Sequence, residues 1–326
     1  MSLGRESPAQ GCSPSNGDLS RKKAEPLRVG GQAVIEGVMM RSPRAMAVAV
    51  RKPTGEIVVK QENLSFFSEG TFFFKLPLVR GVLALLSALI LGIRALNFSA
   101  STALSDSEKG KDPGPWTMGF TIFLALCFGI FLFFLVPLFL TRWLRFAMPL
   151  LSESGLFFNL VDGALRMAIF LAYLWTISRI GEIRRVFEYH GAEHKSIFAF
   201  ESGEELLVDR VKRFPFLHPR CGTSFLLIVM VVSILAFALI PHHVSFGYKV
   251  ASRLVFIPLI AGLSYEIIRF ADRRRESRVM RYFIQPGLWL QRLTAREPSE
   301  DQIEVALRAL ETVLECERRR EGEGNV

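Results

Sequence analysis

The sequence predicts a mainly α, polytopic helical membrane protein. It would have about four transmembrane helices, a small N-terminal β-containing cytoplasmic module and a C-terminal amphipathic helix. Three observations carry that expectation. Half of the 326 residues are hydrophobic and the mean hydropathy is +0.30. The apolar residues are gathered into long blocks with few charges. The formal charge of +9 is gathered between those blocks, a pattern of basic loops at a membrane rather than of a nucleic-acid surface.

Each span is justified by length. Trp116–Thr141 is 26 residues without a charge, about 39 Å as a helix. Gly222–Pro241 gives 20 uncharged residues. Leu156–Ser178 is long enough but carries Asp162 and Arg166, which stand at i, i+4 and can pair on one helix face. Such a pair either marks an ion path or simply fixes helix orientation. Tyr248–Phe270 is the fourth, with Arg253 near one end and Glu266 and Arg269 near the other. Pro137 and Pro258 are expected to kink their helices. Between Arg80 and Arg94 only 13 residues are uncharged, so 76–97 is expected to be an interfacial or re-entrant helix.

The charge distribution gives an orientation. Segments 1–80, 179–220 and 269–296 hold twelve, eight and eight Lys/Arg, against two each in 142–155 and 242–253. Four spans put the three basic regions and both termini on the cytoplasmic side.

Residues 1–27 read as a disordered basic tail, and 28–75 as the β-containing module, with Met46–Arg51 and Ile57–Lys60 joined in a hairpin through 52–56. Glu36 is an acid in an apolar run there, a strand-end carboxylate or a site residue. Residues 98–115 read as a linker into the first transmembrane hairpin, 116–178. The cytoplasmic loop 179–221 contains a helix over Ile180–Phe200, which Gly191 is able to interrupt. Ser202-Gly203-Glu204-Glu205 has the pattern of a capping box opening a short helix to about Arg213. After the second hairpin, 222–270, the tail 271–326 opens with Arg273-Arg274-Arg275, which anionic headgroups would attract. Gln285-Pro286-Gly287 reads as a turn. Ser299 and Gln302 cap a final amphipathic helix, about Glu300–Glu317, with Ile303, Ala306, Leu307, Leu310 and Leu314 on one face. Four scattered cysteines predict no structural disulfide.

The chemistry is concentrated in Glu188-Tyr189-His190-Gly191-Ala192-Glu193-His194-Lys195, a reversed zincin-type H-x-x-E-H. On a helix, His190 and His194 project from one face and can hold one divalent ion, with zinc the expected metal. Glu193 lies beside them as a general base. Only five histidines exist, and His218-x-x-Cys221 supplies a further ligand pair on the same side; His242 and His243 are expected across the membrane. His190, His194, His218 and Cys221 together would close a structural site, whereas three ligands would leave a position for water. An acidic third ligand is the alternative, with Glu201, Glu205 and Glu266 as candidates, and Arg220 is placed to hold an anion or a lipid headgroup.

Gly31-Gln32-Ala33-Val34-Ile35-Glu36-Gly37-Val38-Met39-Met40-Arg41, Tyr189–Lys195 and His218-Pro219-Arg220-Cys221-Gly222-Thr223-Ser224 resemble signatures of the YqhQ family of bacterial membrane proteins. Ser264-Tyr265-Glu266, Pro286–Thr294 and Arg296-Glu297-Pro298 are similar to it as well, with Ala295 where a second Thr is expected. The resemblance implies a bacterial inner-membrane protein of a family described as predicted metal-dependent enzymes, without an established substrate. Metal-assisted hydrolysis of a lipid, membrane peptide or envelope precursor at the cytoplasmic face is the leading expectation. A scaffold or assembly factor with a structural metal is the runner-up, and a transporter built on Asp162, Arg166 and Glu266 the weakest. Oligomeric state is not readable, and no nucleic-acid partner is expected.

Overall fold

A computed structural model describes residues 27–64, 76–103, 115–148, 154–219, 221–239, 244–274 and 277–323. The expected basic tail, Arg220, His242 and His243 lie outside them. The N-terminal module is an antiparallel meander in which β1 (Gly30–Val34), β2 (Gly37–Arg41), β3 (Ala45–Arg51) and β4 (Ile57–Asn63) pair in chain order. The expected hairpin at 52–56 is present, closed by Gly55 at φ 90° and by hydrogen bonds between Lys52 and Glu56 and between Gly55 and Lys52. A second tight turn at Ile35–Glu36 joins β1 to β2, with Glu36 in the left-handed region at φ 50°.

The side-chain period of two gives the sheet two buried faces. Val38, Met40, Ala47 and Ala49 join one core cluster, while Val34, Met39, Met46, Val48 and Val50 join another. A sheet buried on both faces needs a layer on each side. One layer is α1 (Val79–Ala103), whose Leu91, Ala95 and Phe98 enter the second cluster. The other combines residues of two later helices, α5 (Gly181–Glu201) and α10 (Glu300–Glu323). Sheet, α5 and α10 form what we call the head.

The expected C-terminal helix is therefore more than an amphipathic appendage. Ser299 and Gln302 form the reciprocal capping box, Ser299 N–H to Gln302 Oε1 at 2.9 Å and Gln302 N–H to Ser299 Oγ at 3.4 Å. Beyond Ile303, Ala306, Leu307, Leu310 and Leu314, the helix also buries Val305, Ala309 and Val313. It is the centre of the head core.

The remaining helices form the apolar bundle. They are α2 (Pro115–Ile130), α3 (Val136–Leu144), α4 (Gly155–Ile177), α7 (Gly222–Ala238) and α8 (Phe246–Arg273). Four helical stretches are long and apolar enough to cross a membrane: Val79–Ala103, Gly119–Leu144, Gly155–Ile177 and Gly247–Arg273. The number matches the expectation but the membership does not. α1 runs on past Arg94 for a further nine residues, with Arg94 directed to Glu62 of β4 at 3.8 Å. Residues 98–103, expected as the start of a linker, are thus its last turns. The span expected at 222–241 is a shorter, 17-residue apolar helix. A five-residue π-helical stretch, Phe131–Leu135, precedes Pro137, and Val136 N–H bonds back to Phe131 O. The wider turn is where the missing proline N–H is accommodated.

Two local expectations are overturned. Ser202–Gly203 closes a helix instead of opening one: Gly203, at φ 69°, and Glu204 donate to Phe200 O and Ala199 O, a Schellman ending for α5. Only one turn follows, α6 (Val208–Val211). Likewise 285–287 is no turn, because α9 (Arg278–Thr294) runs straight through Pro286. Buried Leu290 and Gln291 anchor the helix beyond it, and Gly287 lets α9 close on Ser224 at the start of α7.

The Asp162–Arg166 pair expected from sequence exists at 2.9 Å, and a third member joins it. Arg253 of α8 reaches both oxygens of Asp162, at 3.3 and 2.8 Å, while Arg166 also donates to Ser233 of α7. All three charged side chains are essentially inaccessible, and both guanidiniums lie over Phe237. One carboxylate thereby ties α4 to α8, and Arg166 extends the tie to α7.

Candidate metal centre

The site forms where the head meets the bundle, and α5 carries most of it. Gly191 does not break that helix. A Cβ there would fall 1.9 Å from Arg296 O, so the glycine is what lets the 295–298 segment cross the helix at contact distance. Arg296 N–H donates to Phe187 O at 2.9 Å, holding that crossing in place. The segment in turn brings the end of α9 against His190.

Each of the two histidines has one ring nitrogen committed to the backbone. His190 Nδ1 is 2.7 Å from Thr294 O, and His194 Nδ1 is 2.6 Å from Phe216 O. A carbonyl oxygen only accepts, so both Nδ1 atoms carry the proton and both Nε2 atoms present a lone pair. His190 Nε2 is 3.1 Å from Cys221 Sγ. His194 Nε2 is buried and has no hydrogen-bond partner among the described residues. One donor atom from each of His190, His194 and Cys221 lies within 4.8 Å of the others.

Cys221 reaches the group from another direction. It is the N-cap of α7, and its sulfur accepts from Thr223 N–H at 3.4 Å. Helix N-termini favour negative charge, and the thiolate is the metal-binding form of cysteine. Two imidazoles and a thiolate suit zinc, and three protein ligands leave one tetrahedral position open.

Glu193 completes the arrangement. Its carboxylate lies 3.8 Å from His190 Nε2, buried, with Gly31 of β1 pressed on it. A Cβ on Gly31 would sit 2.7 Å from Glu193 Cγ, so β1 approaches the site this closely only through glycine. Burial pushes the Glu193 carboxyl up; His190, His218 and the Gly31 amide partly oppose that rise. Burial likewise pushes His194 down, towards the neutral imidazole that binds metal, against the opposing influence of the nearby Cys221 sulfur.

The other expected residues fall elsewhere. His218 is a neighbour of the cluster: its ring centroid is 5.7 Å from that of His194, and its Nε2 is 3.7 Å from a Glu201 oxygen. Its backbone is gripped by Gln291 of α9, donor and acceptor both, at 2.9 and 2.8 Å. Lys195 is buried but turned to Glu297 at 2.6 Å and to Lys212 O, fastening the crossing segment. Glu188 pairs with Arg184 and accepts from Gln302. Glu36 holds Arg185 at 2.6 Å and Tyr189 at 3.3 Å, tying the β1–β2 turn to α5. Glu205 is 3.9 Å from Arg210, and Glu266 pairs with Arg80 of α1, so among the described residues neither is grouped with His190 and His194. Sequence reasoning missed the roles of Thr294, Phe216 and Gly31. The first two act through backbone carbonyls, which leave no side-chain signal; Gly31 stood in a quoted motif without a role.

Comparison with known proteins gives the family. Residues 76–316 match the family described as Protein of unknown function (DUF1385). The chain is 31% identical over 310 residues to "Uncharacterized protein YqhQ" of Bacillus subtilis (strain 168), covering 92% of this chain and 96% of that one. No solved structure matches. With three quarters of its length matched and a relative aligned almost end to end, the chain belongs to the DUF1385, YqhQ-like family.

Proposed function

We propose that the protein is a zinc-dependent hydrolase of the bacterial inner membrane, with its metal site and both termini on the cytoplasmic side. The observation that carries the reading is the pair of histidines whose Nδ1 protons are committed to Thr294 O and Phe216 O, leaving both Nε2 lone pairs available in a cluster with Cys221. His190, His194 and Cys221 would hold the ion. A zinc ion so bound would supply Lewis acidity and a water acidified towards neutral pH. Glu193 is positioned to take a proton from a nucleophilic water at its carboxylate. Its burial supports this role, since a raised carboxyl is a stronger base. A closed structural site would have no use for that carboxylate.

The orientation rests on the basic segments gathered at one side of the bundle. This orientation takes α2–α3, α4, α7 and α8 as the crossing helices; α1, although long enough to cross, then lies along the membrane surface, its later turns covered by the sheet while Leu85, Leu86, Leu89 and Ile90 remain exposed on other faces. Asp162, saturated by two arginines, is a structural tie and leaves little for an ion path.

The test is Glu193→Gln assayed for growth complementation in a strain lacking the protein. Loss of complementation with metal content and thermal stability unchanged is expected. Full complementation would remove the base, and with it the hydrolase reading.

A further inference from the structure

Along the same 293–296 segment that meets His190 and Gly191 lies an open cavity of about 370 Å3 lined by Trp175, Ser178, Arg179, Arg184, Leu293 and Arg296. Three of its six residues are arginines. Arg179 and Arg296 have no carboxylate partner among the described residues. Arg184 shares Glu188, at 3.2 Å, with Gln302. Arg296 spends Nη2 on Ser178 O at 3.2 Å, while its Nε is buried with no hydrogen-bond partner. Excess positive charge with an uncommitted buried donor calls for an anion, and guanidinium forks match the oxygens of phosphate.

The apolar half of the cavity says which kind of anion. Trp175 stands in the last turn of α4, a helix apolar and long enough to cross a membrane, and Arg179 stacks on its ring at 4.7 Å. Tryptophan at a helix end with arginine next to it is the composition of a membrane–water boundary. Leu293 belongs to α9, whose Val279, Tyr282, Phe283 and Trp289 are all exposed at roughly helical spacing, flanked by Arg274 and Arg278. A helix with an exposed aromatic stripe and arginines lies in the headgroup layer. The cavity thus opens where lipid phosphates are.

We propose that this cavity binds the phosphate of a membrane lipid, with Arg179, Arg184 and Arg296 on the headgroup and Trp175 and Leu293 along the start of an acyl chain. The backbone of Arg296 touches Gly191, and Thr294 O orients His190, so the seated lipid is held next to the metal centre. On the reading of that centre as hydrolytic, a phosphate-bearing lipid is the substrate class; the binding itself does not depend on that reading.

The experiment is native mass spectrometry of the full chain released from detergent, titrated with phosphatidylglycerol or with zwitterionic phosphatidylcholine. Wild type is expected to retain one phosphatidylglycerol in preference to phosphatidylcholine. Arg179→Gln combined with Arg296→Gln is expected to weaken that lipid roughly tenfold or more, the effect of losing charge-assisted hydrogen bonds. Arg179 is exposed, so Arg179→Gln alone folds and gives an intermediate loss if the double variant is poorly behaved. Chelator-treated protein should keep the preference, which separates this proposal from the metal reading. Equal retention of the two lipids by wild type would overturn it, as would an unchanged preference in the variants. Displacement of the lipid by inorganic phosphate at equal concentration would overturn the lipid in favour of a soluble phosphate.

Discussion

The head and the bundle are built on opposite principles. The head is a dense core in which β2 and β3 are buried on both faces and α10 is buried over most of its circumference, leaving one stripe with Glu304, Arg308 and Glu315 exposed. The bundle exposes large apolar side chains outwards, among them Phe120, Phe123, Leu235 and Val255, and concentrates its polarity in Asp162, Arg166 and Arg253. In the head, hydrophobic burial drives association, and polar groups are used for connection and chemistry. In a surrounding of lipid, burying another leucine gains little, so a bundle depends on packing and on polar ties. The candidate site lies on the seam. Its histidines are held by carbonyls of the 216 loop and the end of α9, and its cysteine starts α7.

That contrast can be broken most severely at Asp162. Asp162→Leu leaves two guanidiniums inside the bundle without their carboxylate, a cost of about 3–5 kcal/mol. The folded yield in detergent should collapse, whereas a transporter residue would leave folding intact and abolish flux. In the head, Leu310→Ala should cost about 2–5 kcal/mol through a cavity in the core, read as a fall in melting temperature with the bundle's helicity retained. Gly191→Ala tests the seam. Its methyl group meets Arg296 O and should cost roughly 1–3 kcal/mol, with weaker metal retention because Thr294 moves with Arg296.

The smallest effect belongs to the surface pair Lys212–Glu300. Lys212 holds the Glu300 carboxyl below the usual range. A carboxyl lowered on folding stabilises above its unfolded pKa and loses that contribution as pH falls through its folded value. Glu300→Gln should therefore lower the melting temperature slightly at neutral pH, with the difference fading below about pH 4 and in high salt.

The same division explains how much the sequence made legible. The hairpin at 52–56, the capping box at Ser299 and Gln302 and the long apolar stretches are local patterns, and each was readable. Asp162 with Arg166 was readable because four residues separate them; Arg253 was not, because pairing with Asp162 over 91 residues is set by how α8 packs on α4. At the site, His190, Glu193, His194 and Cys221 were candidates from spacing and residue type. What spacing could not give was that the sulfur of Cys221, 31 residues on, comes within 3.1 Å of His190, because tertiary packing sets that approach. Pro286 and Gly287 misled because their local preference for a turn is overridden by tertiary contacts beyond them.

An open metal site of three ligands should show in the metal content per chain. Purified wild type, His194→Ala, Cys221→Ser, His218→Ala and Glu193→Gln would be measured side by side by mass spectrometry of the elements. Wild type should carry about one zinc per chain, retained in His218→Ala and Glu193→Gln and lost in His194→Ala and Cys221→Ser. Wild-type protein without a stoichiometric metal would contradict it, and loss of zinc in His218→Ala would replace the open site with a closed, structural one.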